Sequence, residues 1–221
     1  MVRVLLWMTR PTAQEASSVA AQLIAETARA ALTERDRCAL ALSGGRSPLP
    51  MFEALAMADL PWDRISVYQV DERVAPAGHA DRNLTALADR LPAGIDLRPM
   101  PVEGADLETA ADAYARGLPE RFDLVHLGIG DDGHTASLVP DDPVLAVRDR
   151  DVAITGAYRG RRRMTLTFPV LSRAGLVLWL ALGVRKRPML IRLRHGDPTI
   201  PATHIRSARQ VVVCDEAAAP Q

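Results

Sequence analysis

The sequence predicts an α/β fold built on parallel strands joined by crossover helices. Two observations carry this reading. Short apolar runs alternate with longer amphipathic stretches along the chain, which is the rhythm of a parallel sheet with helical connections. The composition is that of a globular protein rather than a disordered one: 221 residues, 48% hydrophobic and 24% charged, with a mean hydropathy near zero. A chain of this length is expected to fold as one domain over residues 1–221.

Residues 2–7 read as the first strand. Thr12 offers an N-cap to a long helix running to about Arg35, with Val19, Leu23, Ala30 and Ala31 at near-helical spacing. A short buried strand at 38–42 is broken by Ser43-Gly44-Gly45-Arg46-Ser47-Pro48, where Pro48 fits the first turn of a helix. Further strands are expected at 65–70, 124–129, 152–155, 164–167, 176–182 and 211–213. Helices fit 52–58, 83–90, 107–116 and about 187–194. Segments 76–82 and 140–150 are polar and helix-poor and read as loops. The basic run 159–163 encloses Gly160 and reads as a solvated turn at Arg159, Arg161 and Arg162.

Charge and composition exclude several function classes. Basic and acidic residues balance at 27 each and aromatics make up 4%, so neither a broad phosphate-binding surface nor base-stacking platforms are expected, and nucleic acid is not expected as a partner. No apolar run reaches the length of a membrane span, and the N-terminus lacks a signal-peptide cleavage pattern. The expected setting is cytoplasmic. Cys38 and Cys214 sit in apolar runs and read as buried, reduced thiols. Of the 27 basic residues only Lys186 is lysine.

Three constellations carry chemistry. Ser43, Gly44, Gly45 and Arg46 lie between a strand and a helix, where glycine amides and a helix N-terminus suit a phosphate; a plain strand-to-helix turn is the alternative. Gly128-Ile-Gly130-Asp131-Asp132-Gly133-His134 satisfies Gly-x-Gly-x-x-Gly after a strand. The two carboxylates in its turn repel a pyrophosphate, so a dinucleotide is disfavoured. His134 instead stands at the mouth of an expected helix, two residues after Asp132. That carboxylate can fix the imidazole tautomer and leave the other nitrogen free to take a proton from water. No second His or Cys lies near enough in sequence to complete a metal site, so neither metal nor cofactor is expected. Asp71-Glu72-Arg73 falls at a strand end, where open α/β sheets bind ligands. His79, His126, His195 and His204 show no partner pattern and read as structural or surface residues.

At these residues the chain resembles the 6-phosphogluconolactonases. The resemblance runs through LSGGRSP at 42–48, DERVAP at 71–76, Asn83 in DRNL, GIGDDGHTASLVP at 128–140, RMTLTFPVL at 163–171, Gly183 with Lys186, PATHI at 201–205 and VVVCDEAAA at 211–219. Related glucosamine-6-phosphate deaminases share the Gly-x-Gly-x-Asp-Gly-His core but continue differently. Here Thr135-Ala136-Ser137-Leu138 follows, the lactonase form. Three positions depart from the usual pattern: Val139 replaces a common phenylalanine, Arg82 a common serine, and a tryptophan often seen before Asp215 is missing. Arg82 is left open between a phosphate contact and a solvent-facing side chain.

The resemblance implies a three-layer, mostly parallel Rossmann-like sheet with helices on both faces, as in phosphosugar isomerases, deaminases and coenzyme A transferases. It implies hydrolysis of 6-phospho-D-glucono-1,5-lactone to 6-phospho-D-gluconate, in the oxidative pentose phosphate pathway. His134 is then the base for water, with Asp132 as its partner and Arg73 in the substrate site. Ser43, Gly44, Gly45, Arg46 and Lys186 are associated with the phosphate; Asp71, Asn83, Gly130 and Arg163 complete the expected contacts. An amino-sugar deaminase and a non-catalytic phosphosugar sensor are the alternatives. A monomer and a small homo-oligomer are both compatible with the sequence.

Overall fold

The computed structural model describes residues 4–220. Seven strands form one sheet, numbered in chain order: β1 (Val4–Arg10), β10 (Arg209–Asp215), β9 (Leu176–Ala181), β6 (Leu124–Leu127), β2 (Cys38–Leu42), β3 (Ile65–Gln69) and β5 (Asp96–Arg98). Every neighbouring pair is parallel. The expected first strand begins at residues 2 and 3, which lie outside the described residues, and β1 continues past Trp7 to Arg10 because each of its residues pairs with β10.

Alternation along the central strands divides the core in two. Leu40, Leu42, Leu124, Leu178, Leu180 and Val213 face one way, against α1 (Ala13–Glu34), α2 (Leu49–Ala56) and α3 (Asn83–Ala88). Ala41, Val125, Leu127, Trp179 and Val212 face the other, against α4 (Leu107–Arg116), α5 (Phe168–Ser172) and α6 (Arg187–Arg194). Successive strand side chains point to opposite faces, so a sheet covered on both sides needs apolar residues at nearly every position. The three-layer, mostly parallel arrangement is therefore present.

Thr12 caps α1 as expected. Its hydroxyl oxygen accepts from Glu15 N at 3.2 Å, and the Glu15 carboxylate accepts from Thr12 N at 3.2 Å, satisfying two amides that the helix leaves unpaired.

A second sheet corrects the sequence reading. Strands expected at 152–155 and 164–167 within the parallel rhythm are β7 (Val152–Ile154) and β8 (Arg163–Leu166), which pair antiparallel with each other and with β4 (Asp71–Arg73). The connection between β7 and β8 is too short for a parallel crossover, which needs roughly a dozen residues or more. The chain passes from the large sheet to the small one through a single residue. Val70 N donates to Leu42 O at 3.2 Å, and Leu166 N donates to Val70 O at 2.8 Å.

Candidate active site

After β2 the chain moves outward to β3, and after β6 it moves the opposite way to β9. The carboxyl ends of β2 and β6 thus part at a topological switch point, the usual ligand crevice of such sheets. A cavity of about 430 Å³ opens there. Ser43, Gly44, Gly45 and Arg46 enter it from the end of β2, Gly130 and His134 from the end of β6, and Lys186 from the end of β9. The small sheet supplies Asp71, Arg73 and Arg163, and α3 supplies Asn83. Asp132 alone of the anticipated site residues does not line the cavity; it stands behind His134.

The segment after β6 is a tight turn, not the start of a helix as anticipated. Gly130 N donates to His134 O at 2.8 Å and Gly133 N to Gly130 O at 3.0 Å, a closed loop that holds His134 over the sheet end. His134 Nδ1 donates to Asp132 Oδ1 at 2.5 Å, and His134 N reaches the same oxygen at 3.2 Å. The other ring nitrogen, Nε2, is left free to accept. Gly130 lies against the imidazole: a Cβ there falls 2.1 Å from His134 Nδ1 and 2.7 Å from Asp132 Oδ1. The Asp132 carboxyl sits low, at about 2; burial raises it, and the hydrogen bond from Tyr158 with the charge and hydrogen bonds of His134 outweigh burial.

The DER motif is the short strand β4, not a simple strand end. Its middle residue, Glu72, is fully buried and accepts from Arg73 N (2.7 Å), Asn83 N (2.8 Å), Leu84 N (2.8 Å) and Gln69 Nε2 (2.9 Å). Arg82 does not line the cavity and does not face solvent. It is buried, with its guanidinium 3.0 Å from Glu72 and 2.7 Å from Glu103. A buried carboxylate needs such a counter-charge, so Arg82 supports the strand that aims Arg73. Asn83 completes the aim: its Oδ1 accepts from Arg73 Nη1 at 2.8 Å, and its Nδ2 donates to the Asp71 carbonyl and carboxylate at 3.0 and 3.1 Å. Gly44 packs so closely on Asn83 that a Cβ there falls 2.4 Å from the Asn83 Cβ, which ties the phosphate-type loop to the same side chain.

Asp71 also accepts from Ser137 Oγ at 2.6 Å, and Arg163 Nη1 reaches that hydroxyl at 3.4 Å. Burial pushes the Asp71 carboxyl up, opposed by the Ser137 hydrogen bond and the Arg163 charge. At the far wall, Gly183 N donates to both Asp215 oxygens at 3.0 Å, fixing the turn that carries Lys186. Lys186 Nζ lies 2.6 Å from Asp131 Oδ1, and that hydrogen bond holds the Asp131 carboxyl below the usual range. Six cations line the cavity, Arg46, Arg73, Arg159, Arg163, Arg185 and Lys186, against the carboxylates Asp71 and Asp131. This is a field for a dianionic ligand.

Sequence reasoning missed five contributors, among them Arg185, which lines the cavity beside Lys186. Arg159 lines the cavity rim although its run reads as a solvated turn. His126, read as structural, lines the floor, fully buried and held neutral with its pKa down at about 3 by burial. Ser137 and Tyr158 carried no chemical signal of their own. Among the described residues, no group of three or more His, Cys, Asp or Glu is placed to hold a metal ion. Among the described residues, no helix is long and apolar enough to cross a membrane.

Comparison with known proteins follows the same lines. Residues 11–214 match the model of the family described as glucosamine-6-phosphate isomerases/6-phosphogluconolactonase. The 6-phosphogluconolactonase of a Synechocystis strain is 40% identical over 200 residues, 82% of this chain and 83% of that protein. The Pseudomonas putida 6-phosphogluconolactonase is 36% identical over 81% of this chain and 79% of its own length. The crystal structure of 6-phosphogluconolactonase from Thermotoga maritima superposes with a TM-score of 0.85 at 28% identity, covering 96% of this chain and 99% of that one. A monomeric glucosamine-6-phosphate deaminase shares the fold, with a TM-score of 0.82 at 20% identity over 96% of this chain and 98% of its own.

Proposed function

The chain belongs to the glucosamine-6-phosphate isomerase/6-phosphogluconolactonase family, and from that membership we propose that it hydrolyses 6-phospho-D-glucono-1,5-lactone to 6-phospho-D-gluconate through a water activated by His134. It is a carboxylic ester hydrolase of the pentose phosphate pathway. The observation that carries the mechanism is the Asp132–His134 pair, 2.5 Å apart, set at the wall of a cavity lined by six cations.

Asp132 accepts a hydrogen bond from Nδ1–H, which fixes the neutral imidazole tautomer whose acceptor is Nε2. Nε2 takes a proton from water as the water oxygen attacks C1 of the lactone. The carbonyl oxygen becomes an oxyanion beside Arg73, which Asn83 and the Asp81 carbonyl hold in place at 2.8 and 2.6 Å. Collapse of this intermediate breaks the bond from C1 to the ring oxygen. His134 returns its proton to that oxygen, giving the open hydroxy acid. General acid–base assistance contributes roughly 10²–10⁴-fold, and a preorganised cation at the oxyanion on the order of 10²–10³-fold.

The phosphate is assigned to Ser43, Gly44, Gly45, Arg46 and Lys186, with Asp71, Asn83, Gly130 and Arg163 shaping the ring end. Binding energy from the phosphate, remote from C1, positions the carbonyl for attack. The reading places the enzyme in the cytoplasm, acting as one catalytic unit over residues 1–221.

The test is a time course of lactone loss with the spontaneous reaction subtracted. The protein should accelerate it, and His134→Ala should lose most of that rate while keeping its fold by circular dichroism. Near-wild-type hydrolysis by the variant would sink the mechanism. Ammonia release from glucosamine 6-phosphate would redirect the assignment to the deaminase branch.

A further inference from the structure

The connection from β7 to β8 ends in a two-residue turn. Tyr158 N donates to Arg161 O at 2.9 Å and Arg161 N to Tyr158 O at 3.3 Å, around Arg159 (φ 51°) and Gly160 (φ 78°). Positive φ at both central residues is the geometry of the tightest hairpin turns. The turn therefore fixes where the Tyr158 side chain starts.

That side chain reaches the motif loop of the other sheet. Its hydroxyl donates to Asp132 Oδ2 at 2.7 Å. Its ring meets the His134 ring edge to face, centroids 5.4 Å apart at 64°. The guanidinium carbons of Arg163 and Arg159 stack on it at 4.9 and 5.1 Å. Asp132 thus has its two oxygens divided: Oδ1 is engaged by His134 through both Nδ1 and the backbone amide, and Oδ2 by Tyr158.

We propose that Tyr158 is a positioning residue that locks the Asp132 carboxylate from the side opposite His134, so that the imidazole of the base is held at one orientation by a Tyr–Asp–His chain. With Oδ1 held alone, the carboxylate can turn about its side-chain bonds and take the imidazole with it. With both oxygens held, it cannot. Tyr158 does not touch the reacting atoms in this scheme, and no proton leaves it. Because it also lies under Arg163, the same side chain sets the spacing between the base and a cavity cation.

The catalytic part of this inference rests on the proposed lactonase reading, so its test has an arm that needs no turnover. Tyr158→Phe keeps the ring, the edge contact and both guanidinium stacks and removes only the hydroxyl. In the substrate-free protein, the hydrogen-bonded His134 Nδ1 proton, observed by NMR, should shift or broaden in the variant. An unchanged resonance overturns the proposal whatever the protein hydrolyses. In the lactone assay, kcat should fall about ten-fold, the scale of one hydrogen bond to a charged group, with KM within two-fold. The acid limb of kcat/KM should move to higher pH, because a carboxylate that loses a donor holds the pair's proton more tightly. A raised KM with unchanged kcat would make Tyr158 a substrate contact instead. If the wild-type protein does not open the lactone, the functional reading fails and the NMR comparison still decides the role of Tyr158. A Tyr158→Leu variant, which also removes the ring, should add a rise in KM through Arg163.

Discussion

Replacing Gly130 by alanine adds one methyl group where the dyad is packed most tightly. A Cβ at this position falls 2.1 Å from His134 Nδ1 and 2.2 Å from its Cε1. Ordinary contact begins near 3.4 Å, so the ring must retreat by roughly 1.3 Å to reach normal van der Waals separation. Asp132 Oδ1 is crowded as well, at 2.7 Å, so the carboxylate cannot take up the displacement while keeping its 2.5 Å contact. A misplacement of about 1 Å in a catalytic group can cost on the order of 10²-fold in rate. Gly130 does not adopt a positive φ, so alanine brings no backbone strain and the fold should survive. The expected result is a kcat reduced about 10²-fold or more, with KM within three-fold and a thermal midpoint lowered by no more than a few degrees. The assay follows acid release on lactone opening, with the spontaneous rate subtracted at each concentration. A folded variant with kcat within about five-fold of wild type would refute the view that His134 acts from the position seen here.

Two further outcomes follow from the charges. Lys186→Arg keeps the charge but replaces a compact ammonium, 2.6 Å from Asp131, by a planar fork; KM for the phosphorylated lactone should rise about ten-fold, and unchanged constants would make the lone lysine incidental. His126, held neutral at about 3 by burial, has an unfolded value near 6.5, so between those limits the unfolded chain binds a proton that the fold excludes. Its contribution is complete above about pH 6.5 and is lost as pH falls, by about 1.4 kcal/mol per unit. Urea unfolding at pH 7 and pH 5 should show His126→Gln losing about 2 kcal/mol less than wild type, and equal losses would count against the assignment.

The parallel sheet was readable because its strands are buried on both faces, and runs such as Leu176–Ala181 advertise that without interruption. The small sheet was not. β4 continues the same extended run as β3, and nothing in the local pattern around Val70 marks the exchange of one sheet for another. β5 was missed because three half-exposed residues, Asp96–Arg98, carry no alternation to detect. α5 is five residues long and starts at Phe168-Pro169, too short for a helical period. Among the site residues, His134, Asp132, Arg73 and the Ser43–Arg46 loop announce themselves by chemistry at fixed spacing. Tyr158 and Ser137 do not, since each acts on a partner distant in sequence: Tyr158 on Asp132, 26 residues away, and Ser137 on Asp71, 66 away. Arg82 shows the converse: a charged side chain whose surroundings, not its type, decide that it is internal scaffolding.

The passage through Val70 divides labour between two pieces of framework. His134 and the Ser43–Arg46 loop hang from the large sheet, whereas Arg73, Arg163 and the Tyr158 hairpin hang from the small one. Two such modules can vary at different rates. Changes at the cavity-lining Arg159, which leave Tyr158 and its hydrogen bond to Asp132 in place, can alter which ligand the cavity accepts, so a laboratory search for altered substrate range has its natural target there.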